Sequence, residues 1–159
     1  RSSKLLKIEL EEKALQEIAK RSRFTPRTAN YFLKRCRDFA QVHPEGFRKS
    51  GTDGEGKKII SKEMAKSALA MLAVDDIGLN PSDRKFLEIL VEKFNGGPVG
   101  LKTMAAALSE EEATLEEVIE PYLLQLGLLE RSPRGRVATK KAYEHLGFDI
   151  PKGKQDKLI

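Results

Sequence analysis

The sequence predicts a mainly α-helical chain of two small domains: a helical domain, then a winged helix-turn-helix domain whose wing is a short β-hairpin. Three observations predict it. Apolar residues recur at i, i+3 and i+4 through most segments. A cluster of caps and turn residues, Val74-Asp75-Asp76-Ile77-Gly78-Leu79-Asn80-Pro81, interrupts that periodicity near mid-chain. After it, three helical patterns precede two short extended runs around a Pro/Gly turn, and one more helix follows, which is the element order of a winged helix. The expected boundaries are 1–76 for the helical domain, 77–150 for the winged helix and 151–159 for a charged, frayed tail.

In the first domain, residues 9–22 carry Leu10, Ala14, Leu15, Ile18 and Ala19 on one stripe. Thr25 suits an N-cap, and Pro26 suits the first helical position, where its missing N–H costs nothing. The helix they open runs to about Gln41, with Ala29, Phe32, Leu33, Cys36, Phe39 and Ala40 inward. Residues 43–58, with Pro44, several glycines and many charges, read as a loop. Ser61 caps a third helix over 62–73, with Met64, Ala65, Ala68, Leu69 and Leu72 inward.

In the second domain, Asn80 and Pro81 open a helix bearing Phe86, Leu87, Leu90, Val91 and Phe94, and Asn95-Gly96-Gly97-Pro98 stops it. A short helix spans 101–108. Thr114 and Glu117 have capping-box spacing for the next helix, 114–126, which Gly127 ends. Pro121 falls inside that helix, where it should cost a hydrogen bond and bend the axis. Leu128-Leu129-Glu130-Arg131 and Arg136-Val137-Ala138-Thr139 flank the turn Ser132-Pro133-Arg134-Gly135 as a hairpin, and a helix over 140–146 closes the unit.

Composition bounds the function. With 40% hydrophobic and 33% charged residues among 159, the chain can bury a core. No apolar run approaches the roughly 20 residues of a membrane span, so no membrane partner is expected. Arg1-Ser2-Ser3-Lys4 leads into no signal-peptide core, and with no initiator Met a fragment of a longer chain is the expectation. The lone Cys36 excludes an internal disulfide and fits a reducing cytoplasm. The net charge of +5 is uneven: residues 1–74 hold 17 Lys/Arg against 9 Asp/Glu, whereas residues 75–159 hold 12 against 15. Local clustering therefore decides more than the sum.

The hairpin gathers Arg131, Arg134, Arg136, Lys140 and Lys141, opposed only by Glu130. Arg131 and Arg136 stand on opposite arms near the tip and are expected to project and grip phosphates across a groove; a solvated turn is the competing reading. Arginines folded onto glutamates, with no hairpin standing clear of the body, would defeat this expectation. The helix that should enter a major groove carries Glu110, Glu111, Glu112, Glu116, Glu117 and Glu120 over its approach and first turns, with no Lys or Arg. Phosphate repulsion there points to backbone contact through the wing without base reading. Thr25-Pro26-Arg27 places an arginine in a helix's first turn, where N–H groups and dipole favour an anion; an ordinary surface arginine is the alternative. Gly51-x₄-Gly56-Lys57 has the spacing of a phosphate-binding loop, but Lys58 replaces the Ser/Thr that must meet Mg²⁺, and no buried strand precedes it. His43 and His145 belong to no set with metal spacing. Cys36 reads as core, as do Phe32, Phe39, Phe86 and Phe94. No acid/base or nucleophile constellation appears, so no catalytic residue is expected in this piece.

These residues resemble a known family. Glu17-Ile18-Ala19-Lys20-Arg21-Ser22-Arg23-Phe24-Thr25-Pro26-Arg27-Thr28-Ala29-Asn30 and Leu33-Lys34-Arg35-Cys36-Arg37-Asp38-Phe39-Ala40 look like the lid signature of the bacterial RuvB family. Gly96-Gly97-Pro98-Val99-Gly100-Leu101, Glu120-Pro121-Tyr122-Leu123-Leu124-Gln125 and Arg131-Ser132-Pro133-Arg134-Gly135-Arg136-Val137-Ala138-Thr139 resemble its winged helix. The resemblance runs in register over about residues 1–150. It implies an AAA+ small (lid) domain followed by the winged helix, within a cytoplasmic ATPase whose homohexameric ring drives duplex DNA through a RuvA-bound Holliday junction, with RuvC as a further partner. It implies that Arg27, with Pro26 beside it, is the sensor-2 contact to ATP or ADP, used with Mg²⁺ in the full-length protein, and that Arg131 and Arg136 meet DNA; the charge cluster of the hairpin adds Arg134 and Lys140 as expected contacts. The isolated piece is expected to be monomeric and to need no cofactor. Three departures stand out: Phe24 where the family usually has Gly, a longer 43–58 segment, and Glu112 where some relatives carry a basic DNA contact.

Two other readings compete with the motor. A winged-helix transcription regulator with an N-terminal interaction module predicts a preferred DNA site and a stable dimer. A winged helix used only for protein contacts predicts no DNA binding even at low salt.

Overall fold

A computed structural model describes residues 9–43, 47–50 and 57–150. The chain forms two compact units that part between Asn80 and Pro81. Among the described residues, no helix is long and apolar enough to cross a membrane.

The first unit runs β1 (Glu9–Leu10), α1 (Glu12–Arg21), α2 (Pro26–Val42), β2 (Phe47–Ser50), β3 (Lys57–Ile60) and α3 (Lys62–Met71). The caps fall where the side-chain chemistry demands. Thr25 Oγ1 accepts the Thr28 N–H at 3.3 Å ahead of Pro26, and Ser61 Oγ accepts the Met64 N–H at 3.2 Å. Ala14 and Ile18 of α1, Phe32, Leu33, Cys36 and Ala40 of α2, Ile60 of β3, and Met64, Ala65, Ala68 and Leu69 of α3 form the core. Cys36 is fully buried, and desolvation pushes its thiol up to about 12, as for a packing residue rather than a nucleophile.

The unit also holds a three-stranded sheet of order β1-β3-β2, where the sequence pattern shows a loop and a helix start. β1 pairs parallel with β3 (Glu9 with Ile59, Leu10 with Ile60), and β2 pairs antiparallel with it (Phe47 with Ile60, Ser50 with Lys57). The first helix therefore begins at Glu12 rather than at residue 9, and 43–58 is not simply a loop. Most of the near phosphate-binding loop, 51–56, lies outside the described residues. Lys57 and Lys58 open β3 rather than a helix, so the element order such a loop needs does not occur there.

The second unit runs α4 (Pro81–Glu92), α5 (Leu101–Leu108), α6, β4 (Leu129–Ser132), β5 (Gly135–Ala138) and α7 (Lys140–Leu146). Phe86, Leu87, Leu90, Met104, Leu115, Leu123, Leu128, Leu129 and Tyr143 fill its core. The helix α6 is built of three consecutive stretches, Glu112–Thr114, Leu115–Ile119 and Glu120–Gln125. It starts two residues before Thr114, so the capping box expected from Thr114 and Glu117 does not form, and neither Glu111 nor Thr114 makes a side-chain cap. The middle stretch is a π-turn, with the Glu120 N–H reaching back five residues to the Leu115 carbonyl. A wide turn immediately before Pro121 accommodates a residue that has no N–H to give and whose ring crowds the preceding turn.

β4 and β5 pair through Leu129–Ala138, Glu130–Val137, Arg131–Arg136 and Ser132–Gly135. A third extended segment flanks β5. Val99 N donates to Arg136 O at 3.0 Å, Arg136 N donates to Val99 O at 2.7 Å, and Ala138 N donates to Gly96 O at 3.0 Å. The stretch Gly96-Gly97-Pro98-Val99 thus both stops α4 and buttresses the hairpin.

Candidate nucleic-acid interface

The wing's geometry follows from its register. A two-residue connection, Pro133-Arg134, puts Arg131 directly across from Arg136, and directly opposed residues share one face of a hairpin. Two like charges at that spacing repel, so an anion is needed between them.

Glu120 supplies it. Its side chain is 0% exposed. Arg131 donates from Nε and Nη2 to Oε2 at 2.9 and 2.7 Å. Arg136 donates from Nε to Oε1 at 2.6 Å and from Nη2 to Oε2 at 3.2 Å. A second carboxylate, Glu116 Oε1, lies 3.6 Å from Arg131 Nη2. The arginines are therefore not the projecting dication expected from the sequence; they turn back onto α6. The hairpin itself forms with Pro133 and Arg134 exposed at its turn, although Val99 flanks β5 along its inner part. Arg136 is 16% exposed and is held inward, whereas Arg131 is 45% exposed and keeps an open side.

The remaining cations divide similarly. Arg134 is exposed in the turn. Lys140 faces Glu144 at 3.8 Å, and Lys141 Nζ donates to the Leu126 carbonyl at 2.7 Å. Glu110, Glu111, Glu112, Glu116 and Glu117 are exposed at the start of α6, in keeping with a helix poorly suited to enter a groove. Glu120 alone of the six acids is inward. Counting carboxylates along the chain grouped it with the repelling ones; the available signal was an acid set among Leu115, Ile119, Tyr122 and Leu123, before two arginines that the hairpin register places face to face.

In the first unit, Arg27 and Pro26 are exposed in the first turn of α2. Arg27 makes no hydrogen bond or ion pair with another described residue, and an exposed guanidinium in the first turn of a helix, at the positive end of its dipole, fits an anion such as a phosphate. The turn before it holds Arg23 at φ 53° and Phe24 at φ 54°. Left-handed backbone suits glycine, which is a physical reason to expect Gly at the position of Phe24. Phe24→Gly is expected to raise the stability of the chain by about 0.5 kcal/mol, read as a shift in the urea midpoint, because relief of the strain slightly outweighs the entropy that glycine adds to the unfolded chain. A fall would show that the aromatic ring's own contacts dominate.

Arg21, which the sequence pattern did not single out, is buried at the end of α1. It bonds the Glu17 carboxylate, the Asp76 carboxylate and, at 2.9 Å, the Asp75 carbonyl. The Arg21 hydrogen bond holds the Glu17 carboxyl below its ordinary range against the opposing effect of burial. These bonds fasten the residues 75–76 to the first unit. Among the described residues, no group of His, Cys, Asp and Glu could hold a metal ion.

Residues 1–75 match the model of the RuvB AAA lid domain, and residues 76–147 match that of the RuvB C-terminal winged helix domain. Proteins named Holliday junction branch migration complex subunit RuvB from Chloroflexus aurantiacus and Chloroflexus aggregans are 48% identical over 151 residues, covering 95% of this chain and 40% of each relative. Among solved structures, the Thermotoga maritima RuvB Holliday junction branch migration motor has a TM-score of 0.84 at 43% identity, over 94% of this chain and 46% of that one. An arginine-to-alanine variant of it reaches 0.85 at 43% identity, over 95% and 47%. The chain spans 40% of the length of the curated relatives it matches. It belongs to the RuvB family, of which it carries the AAA lid and the winged-helix domain.

Proposed function

We propose that this chain serves a Holliday-junction branch-migration motor, its winged helix gripping duplex DNA without reading sequence and its lid sensing nucleotide. The observation that carries the DNA reading is a hairpin with exposed Arg134 and half-exposed Arg131, beside a helix start lined with exposed carboxylates. Charge attracts the duplex to the wing and repels it from the helix, so contact is with phosphates. The acidic α6 disfavours a sequence-reading regulator.

In this reading Arg27, with Pro26 setting the turn, contacts the phosphates of ATP or ADP, which with Mg²⁺ supplies the energy of translocation when bound to the complete motor. Association with RuvA and RuvC, a homohexameric ring and a cytoplasmic site of action complete the proposal. They rest on family membership.

The test is fluorescence anisotropy of two unrelated labelled duplexes and a four-way junction, titrated with the chain at several salt concentrations. Both duplexes should bind with Kd on the order of 10⁻⁴ to 10⁻⁶ M, and affinity should fall by roughly 0.9 log units per tenfold salt for each phosphate neutralised. Arg134→Ala should weaken both equally. A preferred sequence, or indifference to salt, would reject the reading. Arg131 and Arg136 are not clean probes of DNA contact, because loss of either strips a partner from buried Glu120.

A further inference from the structure

An opposed arginine pair held by carboxylates of the same domain has the chemistry of a backbone phosphate already in place. We propose that α6 supplies an internal substitute for phosphate. Glu120 fixes Arg131 and Arg136, and Glu116 pairs with Arg131 until a DNA phosphate displaces it. The inference rests on the reading of the wing as a DNA-binding element.

The two carboxylates differ in a way that separates their parts. Glu120 is 0% exposed and accepts from both guanidinium groups, so neither water nor a phosphate can replace it without unmaking the hairpin's support. It is a positioning residue. Glu116 is 51% exposed, and its 3.6 Å approach to Arg131 Nη2 is longer than a charge-assisted hydrogen bond. Such a pair is weak and easily parted. It lies beside Nη2 of the more exposed arginine of the pair, the group that an incoming phosphate must also reach. With Glu116 the cluster of two arginines and two glutamates is neutral; without it, the charge is +1. Binding therefore exchanges one anion for another at Arg131, which lowers affinity and eases release.

The experiment uses the whole chain and a labelled mixed-sequence duplex at low salt, comparing wild type, Glu116→Gln and Glu117→Gln. Glu117 is exposed on the same helix, carries the same charge and makes no pair with the hairpin arginines, so it reports the general field alone. Glu116→Gln should bind about two- to five-fold tighter than wild type, at least about twice the gain of Glu117→Gln, with an unchanged melting curve. In an Arg131→Ala background the advantage should vanish. Equal gains from the two variants, or no gain from Glu116→Gln, would overturn the inference while leaving wild-type binding intact. Absence of wild-type binding at low salt would instead remove the DNA reading, and the inference with it.

Discussion

Glu120→Ala is expected to destabilise the winged-helix unit by about 3 kcal/mol, because removing one member of a buried ion network leaves the others uncompensated. The residue is 0% exposed, and both of its oxygens are taken by guanidinium groups from facing strands. Its loss leaves two like charges opposed across β4 and β5, one of them largely shielded from water. Arg131 can swing outward, which limits the cost; Arg136 has less room to do so. In a unit of roughly 70 residues this corresponds to a fall in melting temperature of about 12–24 °C. Replacing the network with apolar side chains of similar length, Glu120→Met with Arg131→Met and Arg136→Met, should recover most of the loss, since no charge is then stranded. Thermal melts of the whole chain, with amide signals of β4 and β5 assigning the transition, provide the measurement. A loss below about 1 kcal/mol for Glu120→Ala would mean that the arginines are solvated without it and that the carboxylate does not hold the wing.

What could be read along the chain and what could not divide by distance in sequence. Local rules placed Thr25 and Ser61 at helix starts, Pro26 at a first helical position and 101–108 as a helix, because each depends on residues within a few positions. The hairpin was legible for the same reason: its strands flank a two-residue connection. The pairing of Glu9 and Leu10 with Ile59 and Ile60 was not, since a two-residue parallel strand has no periodicity to detect and its partner lies 50 positions away. Pro121 by itself requires an irregular helix, but the form of the irregularity, a π-turn, depends on what α6 packs against.

The candidate site shows the same division more sharply. The arginines were found because they cluster in sequence. Their direction was missed because it depends on one carboxylate 11 residues before the first of them and 16 before the second. Charge counted by segment treats a buried acid and an exposed one alike, although one is a support and the other a competitor. That distinction turns a strongly cationic finger into a nearly neutral cluster beside an exposed Arg134 at the turn.

Gly135→Ala is expected to cost about 3 kcal/mol and to detach the hairpin from its buttress. A Cβ at Gly135 would lie 2.2 Å from the Val99 carbonyl oxygen and 2.9 Å from the Gly100 nitrogen, and its φ of +131° is one that L side chains rarely adopt. Both obstacles are backbone atoms, so no rotamer change relieves them. The strain alone costs about 1–3 kcal/mol, and separating the strands to relieve the clash sacrifices the Val99–Arg136 bonds of 3.0 and 2.7 Å. Gly97 faces the same crowding from the other side, its Cβ position 2.2 Å from the Arg136 carbonyl oxygen at φ +83°. The two glycines let two backbones approach at one point, and Arg136 is in the middle of it. Alanine at either position should therefore displace Arg136 and release Arg131 from its cross-strand register, so that exchange protection of the Val99 and Arg136 amides and duplex affinity fall together. Gly100, whose Cβ would meet nothing within 4 Å, is the control, and Gly100→Ala should leave both unchanged to within about 0.5 kcal/mol. Loss of amide protection in Gly135→Ala with duplex affinity intact would show that grip does not depend on the register of Arg131 and Arg136, leaving the exposed Arg134 to carry it.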